Sequence, residues 1–234
     1  MTDFCGWIGT GPLSNPTQRL YALSQQMHST HTSQSFYSEN AAVAFTQHTL
    51  IQHYESDRGF ILVLGHLAGP HLLAQHPWEA LLQSLQQQGT SVLTQCSGQY
   101  LLLAYLSTGK SLIIASDKWA THPVYYAHHD GFLVFSTRIQ VLKRFPGLTT
   151  SLNYDWILTS ALGRPCQEHT CYNECYTLQP GHTLMYREGQ LSTTPYWQLP
   201  TTRAARSGTL QQRSTQLRHE VRKSYEAQVS RYPA

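Results

Sequence analysis

Apolar positions in this chain fall into short runs separated by turn residues, with a few longer stretches of helical period. Phe4-Cys5-Gly6-Trp7-Ile8-Gly9 opens as an apolar strand-like run. Gly11-Pro12 and Asn15-Pro16 then mark a turn. Residues 17–28 read as a helix, with Leu20, Leu23 and Met27 on one face. The polar residues 29–40 read as a loop, and 41–46 as a strand around Val43 and Phe45. Gly59-Phe60-Ile61-Leu62-Val63-Leu64-Gly65 is apolar throughout, the pattern of a strand covered on both faces. Pro77, tolerated in a first helical turn, starts a helix that shows Trp78, Leu81, Leu82 and Leu85 on one side and ends at Gly89.

The second half is richer in strands. Residues 100–106 and 111–115 flank a Thr108-Gly109 turn, and 123–127 and 132–136 flank His129-Asp130-Gly131. A short helix over 139–144 stops before Pro146, and Asn153 caps another that reaches 162. Leu178-Gln179-Pro180-Gly181 turns into a strand over 182–186, and 187–190 send the chain back toward Tyr196-Trp197. Residues 201–209 are small, polar and basic, as in a linker, and 210–229 are amphipathic, with Leu217, Val221 and Tyr225 one turn apart. Strands in succession with helices outside the run of hairpins predict an α+β domain over residues 1–200. It would hold two antiparallel sheets with helices on their outer faces. A linker over 201–209 and a helical segment over 210–234 would follow.

Composition narrows the class. The 234 residues suffice for one large domain or two small ones, and a hydrophobic share of 41% supports a packed core. Only 12% are charged, where about a quarter is usual, and 13 histidines help to fill the polar positions. A scattered net charge of +3 gives no electrostatic footprint for nucleic acid. No stretch has the apolar length of a membrane span, and the opening lacks the basic and apolar regions of a secretory signal. Five cysteines, an odd number, suit reduced thiols, so the expected location is cytoplasmic.

Cys5 is the first candidate for chemistry. A thiolate is a strong nucleophile, and an α-amino group titrating near ~8 is a ready base for a terminal cysteine. Met1-Thr2-Asp3-Phe4 precede it, so this role requires removal of residues 1–4. Gly6 would let the backbone approach a substrate. The plain alternative is a strand whose cysteine is a small buried hydrophobe. Cys166, His169, Cys171 and Cys175 together have the ligand types of a zinc site, but their spacing is irregular and lacks paired knuckles, so packed or solvated thiols are expected and no metal. His122, His128 and His129 flank Tyr125-Tyr126 and read as turn and surface residues.

A series of motifs carries a resemblance. Cys5-Gly6-Trp7-Ile8-Gly9 resembles the Cys-Gly-Ile-x-Gly start of class II glutamine amidotransferases. Gly98-Gln99-Tyr100-Leu101-Leu102-Leu103-Ala104-Tyr105 is similar to the Gly-x-Phe-Ala-Phe-Ala strand of the asparagine synthetase family. Ala115-Ser116-Asp117-Lys118 with Pro123-Val124-Tyr125-Tyr126 resembles its Arg-Asp-x-x-Gly-x-x-Pro-Leu-Tyr-Tyr, and Phe135-Ser136-Thr137-Arg138-Ile139 its Phe-Ala-Ser-Glu-Ile. Leu178-Gln179-Pro180-Gly181-His182 and Tyr196-Trp197 match its Leu-x-Pro-Gly-His and Tyr-Trp. The resemblance implies an Ntn-hydrolase αββα sandwich that releases ammonia from glutamine. It further implies a following asparagine-synthetase-type domain, itself absent here, that uses ATP and magnesium to activate a carboxylate. Residues 210–234 would be the first helix of that domain. No cofactor is expected in this chain; its expected partners are glutamine or a peptide or amino-acid substrate and a synthetase domain or chain, with no nucleic acid and no membrane.

The family's glutamine-gripping positions differ here. Its Asn-Gly pair aligns with Leu64-Gly65, which keeps the glycine and loses the side-chain donor. Its aspartate falls near Pro77-Trp78, where Glu79 is a weak substitute. Its early arginine has no counterpart, since Arg19 lies on the first helix and Arg58 comes too late, and its His-Arg-Gly-Pro-Asp segment is replaced by residues around His28-Ser29-Thr30. One lost oxyanion donor costs about 3 kcal/mol in the transition state. Impaired glutamine hydrolysis is therefore expected, as in the lasso-peptide cyclases and beta-lactam synthetases that these losses resemble. Two roles stay open: an amidotransferase-like half of an amide-forming ligase, or a catalytically inactive scaffold or substrate-binding domain.

Overall fold

The computed structural model describes residues 3–11, 15–25, 27, 33–164, 168–199 and 209–229. By contacts the chain separates into two units, Met1–Gln198 and Leu199–Ala234. Among the described residues the first holds twelve strands in two six-stranded, wholly antiparallel sheets. One sheet contains β1 (Phe4–Gly9), β2 (Ser33–Tyr37), β3 (Ala41–Thr46), β8 (Tyr125–His129), β9 (Phe132–Ser136) and β10 (Tyr176–Thr177), in the order β10-β8-β9-β1-β3-β2. The other contains β4 (Ile51–Ser56), β5 (Gly59–Ala68), β6 (Ser97–Leu106), β7 (Ser111–Ser116), β11 (His182–Arg187) and β12 (Gln190–Pro195), in the order β12-β11-β7-β6-β5-β4.

The period of two along each strand decides the layers. Phe4 and Ile8 of β1 share the central core with Phe60, Leu62 and Leu64 of β5. The alternate residues face outward. Ile61 and Val63 meet Leu81, Leu82 and Leu85 of α2 (Pro77–Gln88) on one side of the sandwich. Cys5 and Trp7 meet Leu20 and Leu23 of α1 (Pro16–Ser24) and Val141 and Leu142 of α3 (Ile139–Leu142) on the other. The result is helix, sheet, sheet, helix, as the expected αββα sandwich requires.

Turn chemistry closes the hairpins. Asp130 and Gly131 both take positive φ between β8 and β9, as do Glu188 and Gly189 between β11 and β12. Asn153 caps α4 (Tyr154–Ala161) by accepting the Trp156 N–H at 2.9 Å. The first helix ends at Ser24, short of 28, although Met27 is still buried. Residues 33–37, expected in a loop, form β2 instead. Its Ser-Gln-Ser-Phe-Tyr has little apolar periodicity, and ladder bonds to β3 hold it at the sheet edge with Phe36 turned into the core. In the second unit α5 (Leu210–Val229) is a helix of 20 residues; the linker expectation falls mostly outside the described residues.

Candidate functional site

At the start of β1 a cleft of about 370 Å³ opens beside the beginning of α3 and the β7–β8 connection. Asp3, Leu64, His122, Tyr125, Thr137 and Arg138 border it. Cys5 does not. Asp3 is only 4% exposed and extends the β1 ladder: its carbonyl accepts the Thr46 N–H at 3.0 Å, and its N–H donates to Thr46 Oγ1 at 3.1 Å. Its carboxylate takes the Arg138 Nε–H at 2.7 Å and the Thr137 hydroxyl at 3.3 Å. Phe4 follows, fully buried, its ring edge-on to Phe135 with centroids 6.2 Å apart. Asp3 and Phe4, directly ahead of the cysteine, are thus part of the fold.

Cys5 itself is 0% exposed, paired in the ladder between Ala44 and Ser136, and packed into the helix-covered layer with Trp7. Burial, reinforced by the Asp3 charge, pushes its thiol up to about 12. In the intact chain it is a protonated apolar group, as the plain reading of the strand had it.

Gly6 lies on the inward face of β1. A Cβ there would come within 2.3 Å of the Ala42 carbonyl oxygen and 2.8 Å of Phe135 Cζ. Close strand and ring packing accounts for this glycine. Gly65 has φ +92, and a Cβ on it would meet the Gln99 carbonyl oxygen at 2.3 Å and His122 Nε2 at 2.7 Å. Its amide N–H already donates to the Leu50 carbonyl at 2.7 Å, which removes it as a donor for an oxyanion. Glu79 does not border the cleft. It accepts the Tyr54 hydroxyl at 2.8 Å and pairs with Arg58 Nε at 2.7 Å, and the Tyr54 bond foremost holds its carboxyl below the ordinary range.

Three residues of the cleft escaped the sequence reading in this role: Asp3, Arg138 and His122. The period of two offered a signal, since Asp3 shares a face with Cys5 and stands nearer the strand's open end. Among the described residues His122 has no hydrogen-bond partner, and burial pushes its imidazole below the ordinary value against the opposing pull of Asp117. It is a neutral ring at the cleft wall, where a surface turn was expected. Among the described residues no group of three or more His, Cys, Asp or Glu is placed to hold a metal; Cys166 lies outside them.

The motifs behind the resemblance converge on one structural node. The Asp117 carboxylate, 0% exposed, accepts the N–H groups of Tyr100 at 3.0 Å, Trp119 at 2.7 Å and Thr121 at 3.2 Å. Its carbonyl accepts the Gly181 N–H at 2.9 Å, and the Gly181 carbonyl takes those of Tyr196 and Trp197 at 2.9 and 3.1 Å. The Tyr196 hydroxyl donates to the Ser116 carbonyl at 2.6 Å, so Tyr100 must donate to Tyr196 across 2.9 Å. These residues tie the crossover between the sheets to the end of the domain.

The profile described as Glutamine amidotransferase domain matches residues 65–197, more than half of the chain. The chain belongs to this glutamine amidotransferase domain family. Over 124 residues the chain is 23% identical to the protein named Amidase chry2 of Gibberella zeae, a match covering 52% of this chain and 18% of that one. Two solved structures resemble it at 10% identity. The glutamine phosphoribosylpyrophosphate amidotransferase from B. subtilis, complexed with ADP and GMP, matches 83% of this chain and 49% of its own, with a TM-score of 0.49. The allosteric regulatory enzyme of purine biosynthesis matches 84% and 49%, with a TM-score of 0.51. The chain therefore spans less than a fifth of the amidase and about half of each solved chain. The architecture of the amidotransferase domain is the Ntn-hydrolase-like sandwich of this fold.

Proposed function

We propose that this chain is the amidotransferase-like part of an ATP-dependent amide-forming ligase of the asparagine-synthase kind, and that it does not hydrolyse glutamine. The observation that carries the second half is the beginning of β1. Phe4 fills the core and Asp3 holds Arg138, so exposing an amine on Cys5 would remove a buried ring and leave a guanidinium without its carboxylate. The Gly65 amide is committed to Leu50, and the leucine at position 64 supplies no side-chain donor for an oxyanion. The order of family motifs and the α5 helix support the ligase assignment. ATP and magnesium would belong to a synthetase domain or separate chain, with this domain bracing it or presenting an amino-acid or peptide substrate. The same losses favour kinship with lasso-peptide cyclases and beta-lactam synthetases, whose amine comes from the substrate.

The test combines intact mass with ammonia release. Expected are a mass that retains Thr2 and Asp3, and equal background ammonia release from glutamine by wild type and Cys5→Ala. A chain that begins at Cys5 and releases ammonia in a Cys5-dependent way overturns the proposal.

A further inference from the structure

An open sheet ends in strands whose outer backbone groups have no neighbour, and such an edge is either guarded or paired. Three of the four edges here make poor templates: β10 is two residues long, β12 ends in Pro195, and β2 carries no charged side chain to set a register. The fourth, β4, differs. It runs beside β5 through six consecutive positions without a bulge and holds neither proline nor lysine. The direction of its free groups follows from one bond. The Gly65 N–H donates to the Leu50 carbonyl, so residues 50, 52, 54 and 56 turn their backbone groups toward β5, and residues 51, 53 and 55 turn theirs to the open side. The Ile51 N–H is taken by the His48 carbonyl at 2.9 Å. Among the described residues nothing takes the backbone N–H or C=O of His53 or Glu55, and both residues are exposed. Their side chains share the inward face with Ile51, the His53 ring lying 4.9 Å from that of Phe45. Tyr54 points to the other face, where its hydroxyl donates to Glu79. Glu55 is the strand's one acidic residue and has no ion pair among the described residues.

This edge is complementary to itself. When a second β4 runs antiparallel about a two-fold axis through Tyr54, His53 of each copy stands opposite Glu55 of the other. Both are outward residues, so each such pair exchanges its two N–H···O bonds, and the imidazole meets the carboxylate on the same face. Tyr54 meets its own copy at the position between them, where opposed side chains come closest. An axis through His53 would instead call on the Ile51 N–H, which is already taken. We propose that β4 is a self-association surface: two copies of this chain pair antiparallel through it, centred on Tyr54, and join their sheets into one. The contact is a single strand wide, far below the area of a permanent interface, so the dimer is weak and depends on concentration.

The test is sedimentation equilibrium of the full chain in reducing buffer. From about 5 to 500 µM the mass should rise from that of one chain toward that of two, as a weak interface of this size requires. Glu55→Lys replaces the attractive pair at both symmetric positions and should raise the dissociation constant about tenfold or more. Combining it with His53→Glu restores opposite charges and should bring the constant back to within about threefold of wild type, which separates lost pairing from lost folding. Leu217→Ser, in the exposed stripe of α5, should leave the constant unchanged. Cross-linking reads the register: under mild oxidation Tyr54→Cys should give a disulfide-linked dimer joined through position 54, and Gln52→Cys none through position 52. A chain that stays monomeric over this range overturns the proposal. So does a dimer that Glu55→Lys leaves intact, that the double variant fails to recover, that Leu217→Ser dissociates, or that cross-links through position 52 in place of 54.

Discussion

Cys5 shows how one residue's chemistry is set by what surrounds it. A thiol near the front of such a chain invites the reading of a nucleophile, yet reactivity follows the thiolate, and this sulfur sits among Trp7, Leu20 and Val141. With its folded value raised to about 12, the thiol stays protonated where an unfolded one ionises. Its contribution to stability is therefore complete below about pH 8.5 and declines as pH rises from there toward the folded value. Iodoacetamide at pH 8 should leave Cys5 unmodified in the native protein and alkylate it in denaturant, with peptide mass spectrometry as the readout. Ala120 is a second informative residue. It stands at φ +49 in the Asp117 loop, where the family motif has glycine. A left-handed alanine costs roughly 1–2 kcal/mol and glycine's extra chain entropy roughly 0.4–1, so Ala120→Gly should stabilise by up to about 1.5 kcal/mol in urea denaturation.

Among the elements, β1 and the Asp117 node both help to hold the domain together. Phe4 lies before the cysteine and is fully buried, so Phe4→Ala should cost about 3–5 kcal/mol in urea denaturation. Deleting residues 1–4 should cost at least as much, and a deletion variant as stable as wild type would show that the segment is dispensable. The Tyr196 hydroxyl bridges Tyr100 and the Ser116 carbonyl, and Tyr196→Phe strips both of a partner. The expected loss is about 1–3 kcal/mol with the fold retained, seen as a lower urea midpoint at unchanged slope. Strand β2 makes the opposite point. Ser33–Tyr37 carries little apolar signal because an edge strand is held by backbone bonds to β3, and those are indifferent to side chains.

For the whole molecule, the join between the two sheets passes through His122, whose ring lies against Gly65. Its imidazole is held below the unfolded value of about 6.5, so the unfolded chain binds a proton first as pH falls. Stability should therefore decrease on acidification through about pH 6.5, the full loss being reached below the folded value. Urea midpoints at pH 7.5 and 5.0 measure the drop, and His122→Gln should reduce it. The sheets and their covering helices were legible because burial on both faces of β5 and on one face of α2 writes itself as apolar runs and helical period. The family motifs were legible too, and the structure explains several of them as staples around Asp117, a buried carboxylate that organises backbone N–H groups.

By itself, the sequence determined the αββα layering and the hairpin turns, because each is a local pattern of residue types. Only the tertiary structure decided that Asp3 rather than Cys5 reaches the cleft, that Gly65 gives its amide to Leu50, and that Arg138 is engaged with Asp3. Those facts depend on strand register and on contacts between residues as far apart as 3 and 138, which no spacing along the chain records.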